Sequence, residues 1–164
     1  MKNKLNKNLK VLFIDFDGVL TNNKVTVDEN GIESVLCNRS DSLYADLLKK
    51  NFFLEIIIIS SEKNKVVKIR SEKMNLNCIH GITSKYDYIN QYILDEKLDF
   101  NNLVYIGNDL NDFEAMEKCY LKICPFDSAK EIIDISDIVL QTKGGDGILR
   151  EVYNIFKKNY EISK

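Results

Sequence analysis

Leu9-Lys10-Val11-Leu12-Phe13-Ile14-Asp15-Phe16-Asp17-Gly18-Val19 is the stretch whose reading decides the fold. Its apolar run, Leu9 to Ile14, is short, β-branched in part, and stops at two acids and a glycine. That pattern predicts a strand buried on both faces, as in a parallel sheet. Two more runs end in polar residues. Leu54 to Ile59 stops at Ser60-Ser61, and Leu103 to Ile106 stops at Gly107-Asn108-Asp109. Cys78-Ile79, Leu121 to Cys124 (closed by Pro125, the only proline) and Ile138 to Leu140 read as further short strands. Helical spacing fills the gaps. Ser40 can cap a helix carrying Leu43, Leu47 and Leu48 on one face. A helix is expected from Lys63 to Met74, and another from Tyr86 to Leu98 with Ile89, Ile93 and Leu94 in helical register. One more carries Phe113 and Met116, and one runs from a Ser128 cap through Ile133. The last shows Ile148, Val152, Ile155 and Phe156 on one face. Residues 24–37 read as a β-hairpin around Asp28-Glu29-Asn30-Gly31, with Val25 and Val27 before the turn and Ile32 and Val35 after it. Strands alternating with helices of this size predict a three-layer α/β domain with a mainly parallel sheet.

The 164 residues suit one domain, 1–164, with residues 1–8 expected as a solvated tail of lysines among asparagines. A net charge of -2, and no basic run interleaved with aromatics, exclude a nucleic-acid backbone reader. Asp15 and Asp17 break the only apolar run near the basic start, so a signal peptide is not expected. No stretch has the length to span a bilayer, and a cytoplasmic location is expected. Cys37, Cys78, Cys119 and Cys124 form no CxxC pair and read as reduced, mostly buried thiols. His80, the single histidine, lies beside Gly81 in a short segment and reads as a structural or surface residue, and no histidine pair is available for a zinc site.

In a parallel sheet, ligands bind beyond the carboxyl ends of the strands. The residues there are the candidates. Asp15 and Asp17, one residue apart, can share a cation while doing different work. One carboxylate can attack phosphorus. The other can give a proton to the leaving oxygen and later take one from water. Gly18 lets the chain turn and lets amides approach a phosphate. An ordinary Asp/Gly turn after a strand accounts for the same letters. The Ser60 hydroxyl and the Ser61 amide can donate to a phosphate oxygen, although serine at such a junction is commonly a cap. Lys85, just before a helix, can neutralise a phosphoryl oxygen or simply sit on the surface. Gly107-Asn108-Asp109-Leu110-Asn111-Asp112 gathers oxygen ligands of the kind magnesium takes, and it can also cap the next helix.

Taken in order, these motifs resemble the haloacid dehalogenase superfamily over essentially the whole chain: DxDG at Asp15–Gly18, a strand-end Ser60, Lys85, and the Gly107–Asp112 cluster. The resemblance implies a Rossmann-like sheet of the haloacid dehalogenase fold. Only 42 residues lie between Asp17 and Ser60, and a hairpin, a helix and a strand use them up. Nothing large lies between Lys85 and Gly107, so no cap domain is expected beyond the hairpin flap. The chain is therefore similar to the capless branch that holds 3-deoxy-octulosonate 8-phosphate phosphatases and the phosphatase-like domain of acylneuraminate cytidylyltransferases. Asp17-Gly18-Val19-Leu20-Thr21, Cys37-Asn38-Arg39-Ser40-Asp41, Tyr105-Ile106-Gly107-Asn108-Asp109 and Gly144-Gly145-Asp146-Gly147 followed by Arg150-Glu151 carry this likeness.

The resemblance implies Asp15 as nucleophile and Asp17 as acid/base. It implies Mg2+ on Asp15, on Asp17 through its carbonyl, and on Asn108, with Asp109 as the other candidate. It implies that Ser60, Ser61 and Lys85 hold the phosphate. Octulosonate phosphatases typically read Thr-Gly-Arg where this chain has Ser60-Ser61-Glu62, and Glu62-Lys63 looks more like the phosphatases of nine-carbon sugars. Glu62 and Lys63 are thus candidate substrate residues. The implied function is hydrolysis of the phosphate monoester of a 2-keto-3-deoxy sugar acid, an acylneuraminate-type 9-phosphate or 3-deoxy-octulosonate 8-phosphate, by a homotetramer through an aspartyl-phosphate. A non-catalytic oligomerisation module is the competing reading.

Overall fold

A computed structural model of the protein describes residue 5 and residues 8–162. Most of the expected tail, residues 1–4 and 6–7, lies outside the described residues. Leu5 is half-buried against the core.

β1 (Val11–Ile14) is buried at every position, as its unbroken apolar run requires. It lies in the middle of a six-stranded sheet. Its neighbours are β4 (Glu55–Ser60) and β6 (Leu103–Ile106), and both pairings are parallel. β5 (Asn77–His80) extends one side, and β7 (Leu121–Cys124) and β8 (Ile138–Val139) extend the other. The order is β5-β4-β1-β6-β7-β8, and every pairing in it is parallel.

The pleat divides these strands between two cores. Leu12, Ile14, Ile56, Ile58, Val104 and Ile106 face one way, against α1 (Ser40–Phe52), α2 (Lys65–Met74) and α6 (Ile148–Ile162). Val11, Phe13, Ile57, Ile59, Leu103 and Tyr105 face the other way, against α3 (Lys85–Asp95), α4 (Phe113–Lys118) and α5 (Lys130–Ile135). Burial on both faces explains why the strands read as continuous apolar runs. The three layers are those expected from the alternation of strands and helices.

Several local expectations are corrected. Ser40 is the first residue of α1 and does not cap it; Asn38 Oδ1 accepts from the Ser40 amide at 2.9 Å and from its hydroxyl at 2.8 Å. The buried face of α1 is Asp41, Ala45 and Leu48, whereas Leu43 is exposed. Leu94 is likewise exposed, and Ile89 and Ile93 carry the buried face of α3. Ser128 does not cap α5; its hydroxyl donates to the Pro125 carbonyl at 2.9 Å. The caps that do form are Asn64 on α2 and Ser84 on α3. All four cysteines are free thiols; Cys119 and Cys124 are buried and Cys37 and Cys78 half-buried.

Between β1 and α1 the chain makes only a tight turn and the hairpin, β2 (Thr21–Val27) with β3 (Glu33–Cys37). Val25 pairs with Val35, and the turn at 28–32 falls where the sequence placed it. Gly18 turns the chain with φ +82°, a conformation that side chains resist. Gly144 lies flat against this turn: a Cβ there would come within 2.0 Å of the Gly18 carbonyl oxygen. The Gly145 amide donates to the Val19 carbonyl at 3.0 Å. The glycine-rich run before α6 therefore braces the turn that follows Asp15. Buried Asp41 accepts from the Leu149 amide at 3.0 Å, tying α1 to the start of α6; burial pushes its carboxyl up to about 6. No helix among the described residues is long and apolar enough to cross a membrane.

Candidate active site

The carboxyl ends of β1, β4 and β6 open into one cavity of about 550 Å³. Asp15, Asp17, Ser60, Ser61, Glu62, Asn108 and Asp109 all line it. The hairpin supplies the facing wall through Asn23, Lys24, Val25, Glu33 and Val35. A hydrogen bond from Asn64 Nδ2 to Glu33 Oε2, at 3.1 Å, ties the hairpin to the loop after β4.

Beneath the cavity lies a buried charged cluster. Lys85 opens α3 and is almost wholly enclosed; its Nζ donates to Asp15 Oδ1 and to Asp112 Oδ1, both at 2.6 Å. Asp112 is fully buried and also accepts from the Tyr105 hydroxyl at 2.7 Å. Its other oxygen accepts from the Asn108 amide at 2.9 Å and the Asp109 amide at 3.3 Å. One carboxylate thus holds the lysine, a core tyrosine and the backbone after β6. Gly107 makes the approach possible, because a Cβ there would fall 2.7 Å from the Asp112 side chain.

The charges of this cluster shift one another. Burial, and then the neighbouring Asp112 charge, push Asp15 up to about 7 although Lys85 opposes both. Burial works against the Lys85 charge, but Asp15 and Asp112 outweigh it and hold the ammonium above its ordinary range. Half-buried Asp17 is raised by burial and then by Glu62. Burial and then Asp112 carry the Tyr105 phenol well above its ordinary range, so it remains a donor. A carboxyl that is raised, half-buried and lining the cavity suits proton transfer.

The remaining sequence candidates divide. Ser60 is buried, and its Oγ accepts from the Glu62 amide at 3.0 Å, which leaves the hydroxyl proton free to donate. Glu62 Oε1 accepts from the amides of Lys63 at 2.7 Å and Asn64 at 3.1 Å, leaving one carboxylate oxygen uncommitted by these bonds. Lys63 is exposed and does not line the cavity; its stem lies against Gly81. Asp109 Oδ1 accepts from the Leu110 amide at 2.7 Å, capping the short turn at 110–112. Asn108, by contrast, is buried, and its amide lies beside Asp15 Oδ2 and the Asp17 carbonyl.

Those three groups fit a hard cation. Asp15 Oδ2, the Asp17 carbonyl oxygen and the Asn108 amide converge, within 3.1 Å and 2.8 Å of the amide's near end. Among the described residues no three His, Cys, Asp or Glu side chains group as metal ligands. One carboxylate, one carbonyl and one amide is a ligand set for magnesium, which keeps much of its water. Asp15, Asp17 and Asp112 also bring three carboxyl groups to the Lys85 ammonium.

The sequence reading missed Tyr105 and undervalued Asp112. It also missed the second wall of Lys24, Glu33 and Asn64. Tyr105 carries a signal in hindsight, as a phenol in the middle of a fully buried strand, where it needs a partner. Glu33 and Asn64 are polar residues in a hairpin and a loop, and only the fold brings them together.

A family model for haloacid dehalogenase-like hydrolases matches residues 44–152, and the chain belongs to that family. The match starts after Asp15 and Asp17, so their placement rests on the structure. Among relatives, the chain is 28% identical over 150 residues to the 3-deoxy-D-manno-octulosonate 8-phosphate phosphatase KdsC of Escherichia coli (strain K12), covering 91% of this chain and 79% of that one. It is 25% identical over 144 residues to N-acylneuraminate cytidylyltransferase A of Danio rerio, covering 87% of this chain but 34% of that protein. In fold it is similar to the crystal structure of 3-deoxy-D-manno-octulosonate 8-phosphate phosphatase from Moraxella catarrhalis in complex with magnesium, phosphate and KDO. The TM-score is 0.89 at 23% identity, over 96% of this chain and 90% of that one.

Proposed function

We propose that the chain is a magnesium-dependent phosphatase that hydrolyses the phosphate monoester of a 2-keto-3-deoxy sugar acid. The observation that carries this reading is the buried Asp15–Lys85–Asp112 cluster, whose Asp15 lines the cavity together with Asp17 and Ser60 while Lys85 and Asp112 lie beneath it. Burying charges costs several kcal/mol per ion unless they are well paired. A purely structural module gains nothing from that cost, which argues against the oligomerisation-module reading. KdsC, an octulosonate 8-phosphate phosphatase, and the magnesium, phosphate and KDO held by the Moraxella catarrhalis structure support the substrate class and the metal.

Asp15 Oδ2, the Asp17 carbonyl and Asn108 would hold the magnesium, with Asp109 beside them at the cavity wall. Bound there, the ion would neutralise phosphoryl oxygens and lower the basicity of Asp15. Asp15 attacks phosphorus and forms an aspartyl-phosphate. Asp17 protonates the leaving sugar oxygen, then takes a proton from the water that hydrolyses the intermediate. The Ser60 hydroxyl, the Ser61 amide and Lys85 grip the phosphoryl oxygens. Lys24 is the only lysine or arginine among the described residues that lines the cavity, and it is placed to meet the sugar's carboxylate. Glu62 and Asn64 face the hydroxyls; Lys63 would act only from outside this wall.

Turnover of 3-deoxy-octulosonate 8-phosphate and of an acylneuraminate 9-phosphate, with and without magnesium, tests this. One of the two is expected to exceed simple sugar phosphates at least tenfold in kcat/KM, and EDTA is expected to abolish turnover of both. Full activity in excess EDTA, or no preference for an acidic sugar, would overturn it. Of the two, the nine-carbon 9-phosphate is favoured by Glu62.

We further propose that the working form is a cytoplasmic homotetramer. The hairpin exposes Val25 (58%), Val27 (57%), Ile32 (64%) and Leu36 (73%), an apolar surface that a copy of the chain would cover. Light scattering coupled to size exclusion checks it; a fully active species at 19.0 kDa rejects it.

A further inference from the structure

Asn108 stands where a carboxylate would be the stronger ligand for a cation, and its surroundings suggest what the amide adds. The near end of its amide lies 3.1 Å from Asp15 Oδ2 and 2.8 Å from the Asp17 carbonyl oxygen. Both neighbours are acceptors. With the NH2 group on this side, Asn108 donates to both. With the oxygen on this side, three oxygens meet without a proton between them, and only a cation can hold them together. The two ends of an amide have nearly the same shape, and the torsion between them is a broad, roughly two-fold one. The same volume therefore accepts either, and in the absence of a cation the hydrogen bonding favours the NH2 on this side. The far end rests on Gly18, where a Cβ would come within 2.0 Å of the amide atom at that end and 2.7 Å of Cγ. The absent side chain at Gly18 leaves room for the amide.

We propose that Asn108 is a two-position ligand. Without a cation its NH2 bridges Asp15 and the Asp17 carbonyl. With magnesium it turns over and presents its oxygen. This rests on the reading that the cation sits among these three groups. An aspartate at 108 can do only the second job. It would leave two carboxylates and a carbonyl facing one another whenever the cation leaves. Asn108 thus stabilises the cation-free site and weakens net affinity, since binding must first break two hydrogen bonds. The result is a readily exchanging cation.

The test uses the full chain, labelled with 15N and 13C, and magnesium chloride alone as the probe. The Asn108 side-chain NH2 signals are assigned by triple-resonance experiments on the wild type. In EDTA they should exchange slowly with D2O; on magnesium addition they should move, and their exchange should speed up at least tenfold. Calorimetry on the same sample separates the two ways to fail. If no magnesium binds, the metal reading itself falls. If magnesium binds while the Asn108 signals keep their positions and exchange rate, the two-position ligand is wrong and the metal reading stands. Thermal melts of N108D at pH 8 give a second readout. N108D should melt lower than wild type in EDTA, show a larger magnesium-induced rise, and bind magnesium at least tenfold tighter. Equal melting of the two proteins in EDTA, or equal rises, would overturn the proposal.

Discussion

Asp15→Asn is expected to abolish turnover while the protein stays folded. The amide is nearly isosteric with the carboxylate and can still accept from Lys85, but it cannot form an acyl phosphate. Loss of a covalent nucleophile costs several orders of magnitude in rate, each tenfold being about 1.4 kcal/mol of barrier. The same substitution has a second, opposite effect on stability. Burial and Asp112 push Asp15 up to about 7 from the ordinary 3.8. The folded chain therefore binds more protons than the unfolded chain between those values, and stability falls as pH rises through that window. Above it, the cost of the ionised carboxylate is fully present. D15N escapes that cost, so in EDTA it should melt above wild type at pH 8, and the gap should close toward pH 4. Retention of a tenth of wild-type activity would refute the nucleophile; a lower melting point at pH 8 would refute the crowding of charge around it.

Asp112→Ala should damage stability more than any other single change in the site. It removes one buried acceptor from four donors: Lys85, the Tyr105 hydroxyl, and the amides of Asn108 and Asp109. Breaking a buried ion pair by deleting one partner costs about 3–5 kcal/mol. Activity should fall too, because Lys85 loses its anchor and the backbone that carries Asn108 is released. Tyr105→Phe is the control. It deletes one donor and leaves the ion pair, so about 1 kcal/mol is expected. Urea unfolding of both variants measures this. A cost below about 1 kcal/mol for D112A would mean that Asp112 is not the hub its contacts describe.

The residues at the strand ends were legible because their physics is local. A buried parallel strand must be apolar, so a run such as Leu12-Phe13-Ile14 followed by Asp15 marks its own end. Three such ends carry or closely precede Asp15, Ser60 and Asn108. Caps were read less well, because several side chains compete for each helix start. Ser40 and Ser128 have the right chemistry, but Asn38 binds Ser40 itself and Pro125 takes the Ser128 hydroxyl. Helix faces failed at Leu43 and Leu94, where spacing admits a leucine that the neighbouring layer does not cover. The second wall of the cavity was invisible for a different reason. Glu33 and Asn64 are 31 residues apart and meet only through the fold. Nothing in either local sequence says that they will touch.

The place of β1 in the sheet also bears on how the protein is made. The first strand of the sheet in sequence is central in space, with β4 on one side and β6 on the other. On a ribosome, the segment that carries Asp15 emerges early and then waits. One edge stays unpaired until Glu55–Ser60 appears, and the other until Leu103–Ile106 does. Through that interval a fully apolar strand has no second partner. The nascent chain is therefore most prone to aggregate before residue 106 has left the exit tunnel, and a chaperone that binds extended apolar segments would find its target at residues 11–14.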